Sequence, residues 1–366
     1  MKVLHVVRTT DPRAGGFNSY IESLRQALAG SQTALDVEGV FPGEQRARVL
    51  SLRAPPRFWR RVGDKLSGAD LLHVHGIFGW HVLLGVLAAW RARRPYVLSL
   101  HGHLQPAALR ERALSKRLIL ALIGRRILEG AAAVLVIARS EAECLRAQAP
   151  DARVRQLVPG LRLPEQAPPP AGDSSTLRVL YIGRLHPHKG LPLLLEALAR
   201  LRKEGLAASL AVAGGGHAHH RRRVLQRIAE LGLDEAVTLL GHIDALERDR
   251  RLADCDLLAL PSRSENFGFA VAEAMTAARP VIVSEGVGLA PTVRAWNCGK
   301  VIPVGDAQAL ATALRTMTDP QVRARQGAQA LAAARACFAL KTMGAEAETI
   351  YREAVESADP ETATRP

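Results

Sequence analysis

The chain has 366 residues, 48% of them hydrophobic and only 4% aromatic, with a formal net charge of +14. That length allows two domains with cores of their own. No run is apolar enough for a membrane span, and Cys144, Cys255, Cys298 and Cys337 are too scattered for a disulfide framework or a zinc site. The cation excess is uneven: residues 1–165 hold 25 Lys and Arg against 13 Asp and Glu, the remainder 24 against 22. A phosphorylated or anionic partner is therefore expected for the first part, and the shortage of aromatics argues against a nucleic-acid stacking platform.

In chain order, KVLHVV predicts a first strand rather than a signal peptide. With the free cysteines this points to a cytoplasmic protein. Gly15 and Gly16 form a turn, and residues 19–29 have helical periodicity with Ser19 as cap. ADLLHVHG at 69–76 reads as a buried strand, and GWHVLLGVLAAWRARR as a helix ending in arginines. YVLSLHGHL at 96–104 is strand then loop, placing His101 and His103 after a strand end, with His75 in the matching place of the preceding unit. AAVLVIARS is a further strand, and SEAECLRAQ opens a helix with an S-x-x-E capping signature.

The proline-rich stretch at 164–176 suits a linker, which predicts domains 1–165 and 177–342 around a linker at 166–176. LRVLYIGR, ASLAVAGGG, AVTLLGHI, CDLLALP, RPVIVSEG and KVIPVG are strands between helices in the second half. Few of them alternate with polar residues, as expected of parallel strands covered on both faces. The predicted class is α/β, with two doubly wound domains facing a central cleft and ligands beyond the carboxyl ends of the strands.

Several strand-end residues carry possible chemistry. In GRLHPHKG (183–190), Gly183, Arg184 and Lys189 lead into a helix start, a combination of cations and N–H groups suited to a diphosphate; a solvated basic loop is the plainer alternative. His217, His219 and His220 match no zinc spacing and read as surface residues, and Asp254 and Asp256 form a D-x-D whose spacing alone fixes no metal geometry. His101, His103 or His75 could assist a hydroxyl or phosphate near neutral pH. Glu265 falls in a loop, and Glu273 one turn into the helix Phe269–Ala278. The two carboxylates either grip sugar hydroxyls, with the nearby helix terminus favouring their ionised form, or are a cap and a solvent-facing residue.

SENFGFAVAEAM followed by RPVIV resembles the E-x7-E region of retaining GT-B glycosyltransferases, the family 4-like group, and YIGRLHPHKG resembles its diphosphate loop. The likeness runs over nearly the whole chain in order. It implies that Arg184 and Lys189 hold the donor diphosphate and stabilise the leaving nucleotide. Glu273 would hold the ribose, while Glu265 with Asn266, Phe267 and Gly268 would sit by the donor sugar. Gly15 and Gly16 would approach the diphosphate or acceptor, and His101, or else His103, the sugar's outer hydroxyls. The resemblance implies a nucleotide-sugar donor, no metal or other cofactor, and a last helix (343–359) that returns to the first domain. One departure is Ala278, which stands where many members have glycine.

The expected partners are then a nucleotide sugar and a glycan or polyprenyl-linked acceptor, with no specific nucleic acid. Residues 53–66 and 109–128 mix cations with aromatic or aliphatic side chains, so an anionic membrane surface is a further candidate; ordinary helices packing inward would show the same pattern. The rival functions are a nucleotide-sugar epimerase, a glycan phosphorylase, or an anionic-surface or nucleic-acid binding module without chemistry.

Overall fold

The computed structural model describes residues 1–10, 16–41, 56–110, 113–168 and 175–357. They form two compact units, one of Met1–Gly160 together with the segment from Leu340 on, the other of Leu161–Ala339. The divide comes before the proline run, because Leu161 already bonds to the second unit: its amide donates to Phe338 O at 2.8 Å. Gly160, one residue earlier, bonds the other way, to Met343 Sδ at 3.0 Å.

The first unit is a six-stranded sheet in the order β2-β1-β3-β4-β5-β6. Its strands are β1 (Lys2–Thr9), β2 (Ala34–Phe41), β3 (Leu71–His75), β4 (Tyr96–Ser99), β5 (Ala133–Val136) and β6 (Val154–Gln156), and every pair is parallel. Central strands β3, β4 and β5 are buried at every residue, so their sequences are apolar runs broken only by histidine and serine. Edge strand β2 instead carries Asp36 and Glu38, which pair with Lys65 and Arg61 of the helix Pro56–Ser67. The helix Gly16–Ala27 begins at Gly16, so Ser19 lies inside it and is not its cap. Nor does Ser140 cap the helix Arg139–Gln148: no side chain caps it, and Glu143 pairs with Arg139 instead. The helix Leu340–Glu356 packs in this unit, its Tyr351 fully buried and its Glu346 and Glu353 holding Arg155.

The second unit is also a six-stranded parallel sheet, in the order β12-β11-β10-β7-β8-β9. Its strands are β7 (Leu177–Ile182), β8 (Ala208–Ala213), β9 (Val237–Gly241), β10 (Leu257–Leu260), β11 (Val281–Ser284) and β12 (Gly299–Ile302). Numbered within the unit this is the order of the dinucleotide-binding doubly wound sheet, and the first unit has the other common doubly wound order with one strand added. In each, the chain reverses direction across the sheet at one place: between β1 and β3, and between β7 and β10. Loops leaving the carboxyl ends of those strands diverge there and leave room for a ligand. Among the described residues no helix is long and apolar enough to cross a membrane.

Candidate active site

The switch point of the second unit brings together the loop after β7 and the loop after β10. The chain leaves β7 through Gly183 and Arg184, passes a 3-10 turn at Pro187–Lys189, and enters the helix Leu191–Lys203 from Gly190. Gly190 is left-handed (φ 74°), and a Cβ there would lie 2.0 Å from Pro261 O, at the end of β10. Only glycine allows this contact, and it seats the two loops against each other. Arg263 N then donates to His188 O at 2.8 Å, and Ser262 Oγ to Lys189 O at 3.4 Å.

Seated this way, Lys189 Nζ touches the Glu265 carboxylate, with the two side chains 16% and 23% exposed. Burial, with the Arg184 guanidinium nearby, pulls the Lys189 ammonium down to about 8. At about 8 the lysine is still mostly an ammonium at neutral pH, and it is this ammonium that meets the Glu265 carboxylate. Arg184 itself is exposed. The loop's own N–H groups are largely spent: Gly183 N bonds Ala213 O, Leu185 N bonds Gly215 O, Lys189 N bonds His186 O and Gly190 N bonds Pro187 O. The amide of Gly183 is therefore not available to an anion here, which leaves the side-chain cations and the first turn of the helix Leu191–Lys203 to meet it.

The Glu265 loop is held from its far side by the turn after β11. Glu265 N donates to Gly286 O at 2.9 Å and Gly288 N to Glu265 O at 2.8 Å. A Cβ on Gly288 would lie 1.9 Å from Asn266 O. In the sequence this turn shows only as two glycines, Gly286 and Gly288, after a buried strand. Phe267 is buried, edge-on to Phe269 and Phe338, so its ring belongs to the core and only its backbone faces the loop. Gly268 precedes the helix Phe269–Thr276, which carries Glu273.

Glu273 accepts from Arg248 Nη1 at 2.9 Å. Arg248 comes from the helix Ala245–Asp254 and was not singled out in the sequence. Glu273 is not kept ionised by the helix terminus: burial dominates and raises its carboxyl to about 7, with Arg248 opposing only in part. Nor is it solvent-facing, its side chain being 14% exposed. The nearby Ala278 is left-handed (φ 54°), and Arg279 behind it is buried, donating to Leu252 O and Ala253 O at 2.7 Å each.

The other candidates lie apart from this pair. Asp256 is at the opposite, amino-terminal end of β10, where it binds Arg178 at 2.7–3.2 Å and has Arg323 at 3.7 Å. Its oxygens are taken, and the exposed Asp254 has no part in the strand-end loops. His217 and His219 are exposed, but the His220 ring meets His186 edge-on, so this histidine group flanks the loop after β7.

In the first unit Gly15 lies outside the described residues, and Gly16 opens a helix. His75 ends β3, and His101 follows β4 in a left-handed conformation (φ 53°). The loop is anchored by Glu141, buried, which accepts from Gly102 N and Ile137 N. Glu141 lies between Ser140 and Glu143 of the expected capping signature and is not its carboxylate. His75 Nδ1 and His101 Nε2 are 2.9 Å apart, while His103 accepts from Ile77 N at 3.3 Å. Burial holds His101 at about 3, His103 at about 4 and His75 well below its ordinary value. These rings therefore stay neutral at physiological pH and act as hydrogen-bonding groups, not as bases titrating near 7. His5, His73 and His75 have nitrogens within 4.8 Å of one another, a spacing a metal could use. Yet both nitrogens of His73 and of His75 already have protein partners.

Two family models cover most of the chain: the glycosyl transferase 4-like domain over residues 5–160, and glycosyl transferases group 1 over residues 165–332. A GDP-mannose-dependent alpha-(1-6)-phosphatidylinositol monomannoside mannosyltransferase of Mycolicibacterium smegmatis is 30% identical over 361 residues, 89% of this chain and 91% of that protein. The chain belongs to the glycosyltransferase group 1 family. An alpha-D-kanosaminyltransferase of Streptomyces kanamyceticus is 31% identical over 176 residues, a match spanning 48% of this glycosyltransferase and 45% of that relative. The fold of sucrose-phosphate synthase from Thermosynechococcus elongatus superposes with a TM-score of 0.78 at 23% identity, covering 96% of this chain and 98% of that one. The two doubly wound sheets of this glycosyltransferase are the two halves of a GT-B fold.

Proposed function

We propose that this glycosyltransferase, whose donor is a sugar carried on a nucleotide diphosphate, transfers the sugar with retention to a hydroxyl of a glycan or lipid-linked acceptor in envelope or extracellular polysaccharide synthesis. The observation that carries the reading is the contact of Lys189 with Glu265 at the switch point between β7 and β10. It pairs a cation for the diphosphate with a carboxylate for the sugar in one strand-end crevice. As the anomeric C–O bond breaks, negative charge grows on the β-phosphate, and Lys189 with Arg184 meets it. Donor binding trades the Lys189–Glu265 contact for one with phosphate and frees Glu265 to accept from sugar hydroxyls. Glu273, beside Arg248, takes the ribose hydroxyls. His101 takes an outer hydroxyl of the sugar. The leaving phosphate receives the acceptor's proton on the same face, which preserves the anomeric configuration without a strong protein base.

A lipid-linked acceptor is favoured by one surface. Leu114, Leu118 and Leu122 are 84%, 59% and 69% exposed, with Arg117 and Arg126 exposed among them. Such a face suits an anionic bilayer. The segment at 53–66 contributes no such face: residues 53–55 lie outside the described residues, Phe58 is fully buried and Trp59 packs on the core. The mannosyltransferase relative acts, by its name, on a phosphatidylinositol mannoside.

Calorimetry of the full chain against a panel of nucleotide sugars tests the donor reading. One or two should bind, and Lys189→Ala should weaken them at least tenfold. No binder in the panel would end the reading. Retention is read from the anomeric configuration of the product by NMR. Co-sedimentation with vesicles containing anionic lipid, lost in Leu118→Glu, tests the surface.

A further inference from the structure

Behind His101 a row of histidines runs into the sheet. His5 Nδ1 on β1 is 2.9 Å from His75 Nε2 on β3, and His75 Nδ1 is 2.9 Å from His101 Nε2. All three rings are buried or half-buried, and desolvation keeps them neutral. A neutral imidazole has one N–H and one lone pair. His75 takes part in both contacts with its two nitrogens, so it must donate in one and accept in the other. That couples all three rings, leaving two possible arrangements.

In the first, His5 Nδ1–H donates to His75 Nε2, His75 Nδ1–H donates to His101 Nε2, and His101 keeps its proton on Nδ1. In the second every proton moves to the other nitrogen, and His5 is left with N–H at Nε2. His5 Nε2 is buried and has no hydrogen-bond partner. The second arrangement therefore strands a buried donor, whereas the first strands only a lone pair. The ladder around the row is closed. His73, stacked on His75 at 4.2 Å, bonds Tyr351 OH and Ser99 Oγ, each at 2.8 Å. His81 Nε2 donates to His75 O at 2.7 Å. No neighbouring group offers a third way to place the protons.

We propose that His5 and His75 are positioning residues that fix His101 as its Nδ1–H tautomer, so that it meets the ligand as a hydrogen-bond donor. The nitrogen not tied to His75 is Nδ1, and no group among the described residues bonds it. The ligand atom it serves is an oxygen acting as acceptor, on a sugar hydroxyl or a phosphate. A row that ends blind at His5 Nε2 conducts no proton onward; it sets which nitrogen of His101 holds one. The role given to the ligand rests on the reading of His101 as a contact to the donor.

The test is nitrogen-15 NMR of the histidine-labelled full chain without donor, which separates protonated from bare ring nitrogens. A free histidine prefers its proton on Nε2, so three coupled Nδ1–H rings are a distinctive pattern. His5, His75 and His101 should each show it, unchanged between about pH 6 and about pH 8. His5→Leu only moves the blind end to His75 Nε2, where an N–H would be stranded in the same way, so His75 and His101 should keep their protons on Nδ1. His5→Asp offers His75 Nε2 acceptor oxygens alone and should move the protons of His75 and His101 to Nε2, whereas His5→Asn, whose amide N–H can stand in for Nδ1–H, should keep the wild-type pattern. In turnover, His5→Asp should lower kcat about tenfold with KM for the donor nearly unchanged, and His5→Asn should retain it. A wild-type spectrum with His101 protonated on Nε2 overturns the proposal, and so does stoichiometric metal on His5, His73 and His75. If His5→Asp does not fold, the wild-type spectrum alone decides. Because that spectrum is read on the free protein, its outcome is separate from whether a nucleotide sugar binds.

Discussion

Replacing Glu273 by glutamine gives the sharpest check on the donor site. Its carboxyl is raised from 4.5 to about 7, chiefly by burial, with Arg248 lowering it and Asp249 raising it further. The folded state thus binds a proton more tightly than the unfolded chain. Stability contributed by this group is full below pH 4.5 and is lost as pH rises through about 7. At about 1.4 kcal/mol per pH unit of displacement the whole loss is roughly 3 kcal/mol, and most of it, roughly 2–3 kcal/mol, falls between about pH 5 and about pH 8. Glu273→Gln cannot titrate. The changed contact with Arg248 adds a constant, because the glutamine oxygen can still accept from Nη1 at either pH and Arg248 keeps Asp249 at 3.2 Å. Urea denaturation of both proteins at the two pH values should therefore show the wild type losing 2–3 kcal/mol relative to the variant as pH rises. The same difference at both pH values would refute the argument that Glu273 is held in a desolvated site.

Three further outcomes follow from the same geometry. Donor affinity should be bell-shaped in pH, rising as Glu273 ionises near 7 and falling as Lys189 deprotonates near 8; isothermal titration across that range reads it, and Lys189→Ala should erase the alkaline limb. Gly190→Ala drives a methyl into Pro261 O, 2.0 Å away, so it should cost more than about 3 kcal/mol and lower Tm by several degrees. Ala278→Gly relieves a left-handed alanine and should stabilise by about 1 kcal/mol in the same denaturation assay, with no change in kcat.

The sequence by itself determined the α/β class, most strands and the identity of the carboxylates and cations at strand ends. Parallel central strands such as Leu71–His75 and Val281–Ser284 are buried on both faces, so their apolar runs are visible without any partner in view. Strands Ala34–Phe41 and Val154–Gln156 were not legible for the converse reason. They lie at sheet edges, where Asp36, Glu38 and Arg155 interrupt the run to serve neighbouring helices. Only the tertiary structure decided which partners the charges take. Local spacing made Ser140 a cap and left the role of Asp254 and Asp256 open. Folding instead turned Glu141 onto the backbone of Gly102 and Asp256 onto Arg178. Lys189 and Glu265, far apart in the chain, meet because strand order places β7 beside β10, and His5 reaches His101 because β1 lies beside β3. Hydrogen bonds and burial act through space, and a linear sequence carries the residue types but not the distances that set their protons.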